Sequence, residues 1–192
     1  MATATPARTM TTEELLALPD DGVERWLIRG QLREKRDTDM TKRNRFHSLV
    51  MVRVGQVLAN WLDQQPEPRG AVLCGEADVR LRQEPDTTVG VDVVYVSAAV
   101  YARQTDDTTV IDGVPVLIVE ILSPNDTVEE VKEKVDDYRA AGVPLVWVID
   151  PYDRTVKVYR PGAEPELVNA RQELFAEPHL PGFRVPAARL FE

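Results

Sequence analysis

Two carboxylates draw attention because each interrupts an apolar run. Glu120 sits inside Val116-Leu-Ile-Val-Glu-Ile-Leu122, and Asp92 inside Val89-Gly-Val-Asp-Val-Val-Tyr-Val96. A carboxylate in a protein interior costs several kcal/mol of desolvation unless it is paired or holds a metal. Glu120 therefore either ends its strand and faces solvent, bridges to an arginine, or belongs to a site. Two nearby carboxylates raise each other's pKa unless a cation stands between them. Lys134 is a candidate for that cation, and its bland alternative is a surface partner of Glu130, one turn earlier. Hard oxygen ligands without thiolates suit Mg²⁺ or Mn²⁺, which bind through one or two carboxylates together with water and phosphate oxygens. Such an ion can polarise a phosphodiester and activate a water, and a neighbouring lysine can orient that water or stabilise the transition state. The spacing by itself is weakly specific, since many α/β proteins carry acids at strand ends.

The elements that must position these groups can be read from periodicity. Val116–Leu122 and Leu145–Ile149 have the unbroken Val/Ile character of strands buried on both faces. Between them a helical pattern runs from about Thr127 to Ala141, with a Thr127-x-x-Glu130 capping box and Gly142 as terminator. The unit reads strand, helix, strand, with a right-handed crossover. Val131, Val135 and Tyr138 form its packing stripe, and Lys134 lies beside it. A residue two turns into this helix can return towards the strand end that carries Glu120, and a lysine stem extends the reach. Residues 89–96 form another buried strand, adjacent and of the same parallel type. Alternation puts Asp92 with Val94 and Val96 on one face, and Val91, Val93 and Tyr95 on the other.

Upstream, Thr11-Thr-Glu-Glu14 opens a short capped helix. Val23–Ile28 and Gln31–Lys35 flank Arg29-Gly30 as a β-hairpin. From about Thr41 to Gln64 an apolar stripe of Phe46, Leu49, Val50, Val54, Val57, Leu58, Trp61 and Leu62 marks a long helix that packs on the sheet. His47 lies off the centre of that stripe, where a packing or surface role is the commoner one. Ala71–Cys74 and Ala77–Leu81 look like two strands around Gly75-Glu76. A helical turn is expected over Ala98–Arg103. Thr155–Arg160 alternates as a strand, and Glu166–Val168 and Glu173–Phe175 are short edge strands. Leu180, Phe183, Leu190 and Phe191 are apolar anchors.

The 192 residues suit one domain over 11–192 behind a disordered arm at 1–10. One cysteine, Cys74, and two histidines exclude a disulfide framework and a Cys- or His-based metal cluster. No apolar stretch is long enough for a membrane span, no secretory signal is evident, and a cytoplasmic protein is expected. The net charge of −9 argues against tight nucleic-acid binding by the chain as a whole. Residues 24–45 nevertheless hold eight Lys or Arg against four acids, which makes either a local basic face or a solvated charged hairpin.

These pieces, in this order, resemble the Uma-type endonuclease family, a branch of the PD-(D/E)XK restriction-endonuclease-like superfamily. The similarity is carried by Glu24-Arg-Trp-Leu-Ile-Arg-Gly30, His47, Val91-Asp92-Val-Val, and Pro115-Val-Leu-Ile-Val-Glu120-Ile-Leu-Ser-Pro124. It continues through Lys134, Tyr138, Gly142-Val143, Trp147-Val-Ile-Asp150-Pro151, Leu180-Pro-Gly-Phe183 and Leu190-Phe191. The resemblance implies a mixed α/β (α+β) fold: a restriction-endonuclease-like core with a central mixed β-sheet flanked by helices and an N-terminal β-hairpin. It implies a Mg²⁺- (or Mn²⁺-) dependent nuclease acting on DNA, with Asp92, Glu120 and the backbone carbonyl of Ile121 as metal ligands. Lys134 would be the assisting lysine, ahead of Lys132, and Glu24 and His47 would support the site. Such folds often act as two-fold dimers on a two-stranded substrate, so a homodimer is expected. The chain departs from the pattern at Leu122, where the superfamily usually has its lysine, at Val91 in place of Pro, and over Asp37-Thr-Asp-Met40. The competing reading is a non-catalytic nucleic-acid-binding or regulatory module that keeps the fold. A nucleotide-binding βαβ protein is disfavoured, because Ser123-Pro-Asn-Asp126 is no glycine-rich phosphate loop and Asp126 would repel a phosphate there.

Overall fold

The computed structural model describes residues 9–35, 44–107 and 109–192, without the side chain of Glu76. Most of the expected N-terminal arm, the Asp37–Met40 segment and the first residues of the helix expected from Thr41 lie outside the described residues. At the edge of the arm, the Met10 N–H donates to the Gly30 carbonyl at 2.8 Å.

The crossover unit is the centre of the fold. β6 (Leu117–Ile121) and β7 (Leu145–Asp150) pair in parallel, with Glu120 opposite Val148, and α4 (Val128–Ala140) joins them. The Thr127 capping box is formed and Gly142 takes φ +93, the left-handed conformation that ends α4 without a Cβ clash. Around this unit the chain builds a nine-stranded mixed sheet. Its main order runs β2 (Gln31–Lys35), β1 (Glu24–Ile28), β4 (Thr87–Val96), β6, β7, β8 (Thr155–Tyr159) and β9 (Glu166–Asn169). β3 (Ala71–Arg82) pairs with β4, and the two-residue β5 (Ile111–Asp112) with β3. The expected N-terminal hairpin is present in β1 and β2, preceded by the capped helix α1 (Thr12–Leu16). β10 (Glu173–Phe175) and β11 (Arg184–Pro186) form a small separate sheet.

Each face of the sheet carries a core. On one face α2 (Arg45–Leu62) packs Val50, Val54, Val57, Leu58 and Trp61 on Val93, Leu117, Val119, Leu145 and Trp147. The C-terminal anchors Leu180, Phe183 and Leu190 close this core, and the Trp61 indole donates to the Pro181 carbonyl at 2.9 Å. On the other face Val135 and Tyr138 of α4 pack on Val94, Val96, Ile118, Val146 and Val148. No helix among the described residues is long and apolar enough to cross a membrane.

Four expectations are corrected. β4 and β6 are adjacent but antiparallel, with Val93 opposite Val119, because the described residues between them hold α3 (Ala98–Tyr101) and β5 and no full crossover helix. Residues 71–82 are one strand, not two, with a bulge between Cys74 and Ala77. Strict alternation fails beside that bulge: Val91 joins Val94 and Val96 in the α4-side core, while Val93 and Tyr95 face α2. An extra residue in one strand increases the local twist and re-aims side chains, and Asp92 sits at this break. Phe46 and Leu49 do not belong to the buried stripe of α2 but stand exposed at its edge.

The docking of α2 rests on its inner face. Leu58→Ala should cost roughly 2–5 kcal/mol by urea unfolding. Val52→Ala, on the opposite and exposed face, should stay within about 0.5 kcal/mol of the parent.

Candidate active site

Glu120 is enclosed by the helix that follows it. β6 is buried on both faces, and Glu120 shares the α4-side face with Ile118. Glu120 is 8% exposed, and its carboxylate meets two donors from one face of α4, since residues four apart on a helix lie above one another. Lys134 Nζ stands 2.9 Å from Oε2, and the Tyr138 hydroxyl donates to Oε1 at 2.5 Å. Burial is the largest influence on Glu120 and pushes its pKa up. The Lys134 charge opposes that shift, and nearby Asp92 adds to it. The attraction of Glu120 outweighs desolvation at Lys134 and holds its pKa above the ordinary lysine value. Burial, then the neighbouring Glu120 charge, raises the Tyr138 phenol well above its usual value, so Tyr138 is a hydrogen-bond donor across the physiological range.

Asp92 is fixed from two other directions. The β4–β6 ladder ends at Val93 and Val119, and one step further the Ile121 N–H donates to Asp92 Oδ2 at 2.8 Å. In an extended strand both backbone polar groups of a residue face the same neighbour, so the Ile121 carbonyl also faces the Asp92 side. On Oδ1, His47 Nε2 approaches to 3.2 Å. His47 lies in the first turn of α2, where the N-cap Asn44 accepts from its backbone N–H. Buried to 3% exposure, it leaves Nδ1 without a hydrogen-bond partner among the described residues.

Asp92, Glu120, Ile121, His47 and Lys134 thus come together at one end of the sheet. Glu24 stands apart, exposed on β1 opposite Lys35 and reaching the group only through its charge on Lys134. Lys132 points away and pairs with Asp136 at 2.5 Å. Tyr138 was expected only as a packing residue. Its signal was its place one turn beyond Lys134, together with the need of a buried phenol for a partner. The basic stretch is partly neutralised, since Arg25 pairs with Asp21 at 2.7 Å and Glu34 at 2.9 Å, and Lys35 faces Asp126 and Glu130. No cluster of three or more His, Cys, Asp or Glu arranged to hold a metal is found among the described residues. Mg²⁺ needs less, because water and substrate supply most of its ligands. The donor chemistry fits such an ion: two carboxylates and a backbone carbonyl, with spare lone pairs on each carboxylate oxygen.

The pair of Glu120 and Lys134 has a defined pH signature. Because its folded pKa is raised, the contribution of Glu120 to stability is complete below about pH 4.3, where an unfolded glutamate titrates. It is lost as pH rises through the higher folded value. The contribution of Lys134 is complete below about pH 10.4 and is lost only as pH rises through its own raised value. Lys134→Met removes the cation, so the cost appears once Glu120 ionises. Urea unfolding should show a loss of roughly 1–3 kcal/mol at pH 8, reduced from the ~3–5 kcal/mol of a fully buried pair by the 44% exposure of the Lys134 side chain. The loss should be clearly smaller at pH 4.5. An equal loss at both pH values would mean that Lys134 acts by packing, not charge.

The fold matches that of a putative nuclease of the DUF820 group from Anabaena variabilis, with a TM-score of 0.75 over 95% of this chain and 97% of that one, at 20% sequence identity. No curated protein matches. The Uma2 family profile, described as "Putative restriction endonuclease", matches residues 12–188. The chain belongs to the Uma2 family.

Proposed function

We propose that this chain is a metal-dependent endonuclease that hydrolyses DNA phosphodiester bonds, acting as one domain over residues 11–192 and as a homodimer. Asp92, Glu120 and the Ile121 carbonyl would hold Mg²⁺ or Mn²⁺. When bound, that ion supplies charge to polarise the phosphodiester and to lower the pKa of an attacking water. The observation that carries the reading is the cation beside paired buried acids: Lys134 Nζ at 2.9 Å from Glu120, with Asp92 close enough to shift the pKa of Glu120.

The residues of the chain have separable tasks. The Glu120 charge raises the pKa of Lys134, which favours the protonated donor form. In that form Lys134 donates, either to orient a water or to meet charge developing on the phosphate. Tyr138 holds Oε1 of Glu120 and leaves the other oxygen to Lys134. His47 and the Ile121 N–H aim the two oxygens of Asp92. Burial of both acids keeps bulk water from screening these charges.

A second reading, a non-catalytic binding or regulatory module, draws on two observations. Leu122 occupies the usual lysine position of the superfamily, and every carboxylate oxygen of Asp92 and Glu120 already has a donor.

Cleavage of supercoiled plasmid and single-stranded DNA at low salt separates the readings. Cutting should require Mg²⁺ or Mn²⁺ and stop in EDTA. Asp92→Asn, Glu120→Gln and Lys134→Met should each lower the rate by at least about 100-fold, and Tyr138→Phe by less. DNA binding that falls steeply with salt, with no cutting under any metal condition, selects the binding module.

A further inference from the structure

An unusual surface lies beside the site and has no part in the proposed chemistry. Phe46 precedes His47 in α2, but the helix turns it outward, and it is 40% exposed. The Arg45 guanidinium lies over its ring, 4.6 Å from the centroid. Tyr152, in the turn after β7 and 49% exposed, meets Phe46 edge-on with centroids 5.7 Å apart at 66°. The cluster is held in place: Asn44 Nδ2 donates to the Tyr152 hydroxyl at 2.5 Å, and Asp150 Oδ1 accepts from the Tyr152 N–H at 2.7 Å. Leu49 extends the apolar surface along α2. Arg45 has no carboxylate partner among the described residues.

The location is tied to the site by the backbone. Asn44 caps the turn of α2 that carries His47, and His47 faces Asp92. Tyr152 follows β7, whose Ile149 pairs with Ile121, the residue that holds the other oxygen of Asp92. The same two elements therefore carry the aromatic cluster outward and the acid site inward.

We propose that Arg45, Phe46 and Tyr152 form a stacking platform for an unpaired nucleobase of the DNA strand being cut. This rests on the nuclease reading and extends it to the form of the substrate. Every base has a π-face, and exposed aromatic rings beside an arginine bind single strands by stacking and cation–π attraction. A paired base offers only its edge and cannot reach such rings. The charge of Arg45, which pairs with no carboxylate among the described residues, complements an adjacent phosphate in a chain whose net charge is −9. The substrate this surface selects is single-stranded DNA, or a duplex with an unpaired or frayed segment at the scissile position.

The test uses the full chain carrying Glu120→Gln, in EDTA, so that binding is read without cleavage. Fluorescence anisotropy is measured with a labelled oligo(dT) of about ten nucleotides and with a duplex of the same length. The platform variant adds Phe46→Leu and Tyr152→Leu, which keep apolar bulk but remove the rings. Its urea midpoint should match that of the parent, as both side chains are substantially exposed. Oligo(dT) should bind more tightly than duplex, and the variant should lose about 10- to 100-fold of oligo(dT) affinity with duplex affinity unchanged. Arg45→Gln should give a smaller loss on the same ligand. Equal losses on both ligands, no loss on either, or a preference for duplex overturns the proposal. So does a dimer-to-monomer change of the variant in sedimentation with oligo(dT) affinity unaltered, since the patch would then be an interface between copies. Selective loss in a protein whose Glu120 parent never cuts would remove the nuclease reading while retaining the surface. Cutting with no platform effect would remove the surface alone.

Discussion

One ion pair governs the arrangement: Glu120, on a strand with no exposed face, and Lys134, returned to it by the next helix. An unpaired charge at Glu120 would be expelled or neutralised. Lys134 offsets part of the desolvation, and Tyr138 satisfies the second oxygen from the same side of α4. The pair therefore sets the rotation of α4 about its axis as well as its distance from the sheet. Val135 and Tyr138 then fall into the apolar core on that face. The polar contact and the packing select the same helix orientation, and neither would define it as sharply alone.

On the opposite face α2 imposes a second constraint through His47. The β3 bulge between Cys74 and Ala77 lies opposite Asp92 in β4. Asp92 is held there by the Ile121 N–H and His47. The two acids are thus held by different layers, Glu120 by α4 and Asp92 by α2. The site exists only where both helices pack on one sheet, and loss of either docking would disturb the pair.

Much of this was legible in the chain because the responsible signals are local. The capping box at Thr127, the terminator at Gly142 and the unbroken runs around Glu120 and Trp147 depend on neighbours within a few residues. The long helix was visible for the same reason, although Phe46 and Leu49 looked like core and are surface. Hydrophobicity alone cannot separate a core-facing ring from one that packs on an arginine and a tyrosine from another turn. The direction of β4 relative to β6 was misread because burial on both faces is shared by parallel strands and by central antiparallel ones. The continuity of β3 was hidden because Gly75-Glu76 looks like a break, whereas the strand runs on through a bulge opposite β4, the next strand in the chain. The partnership of Tyr138 with Glu120 was hidden behind an adequate apolar explanation for the same residue.

Leu122 stands where the superfamily pattern has a lysine, directly after β6 and its Glu120. A residue two after Glu120 projects to the same face of the strand, and Leu122 indeed packs with the α4-side core. That face is the one α4 covers. A lysine at 122 and a lysine on the overlying helix therefore approach Glu120 from the same half-space, one from beneath the helix and one from within it. With Lys134 on the helix, position 122 is released to be apolar, and it contributes to the packing that holds α4 down. The cation is moved from strand to helix with its charge kept within 2.9 Å of the carboxylate. Under the proposed function, Lys134 would take the part of the strand lysine from the overlying helix, on the face of β6 that Leu122 shares.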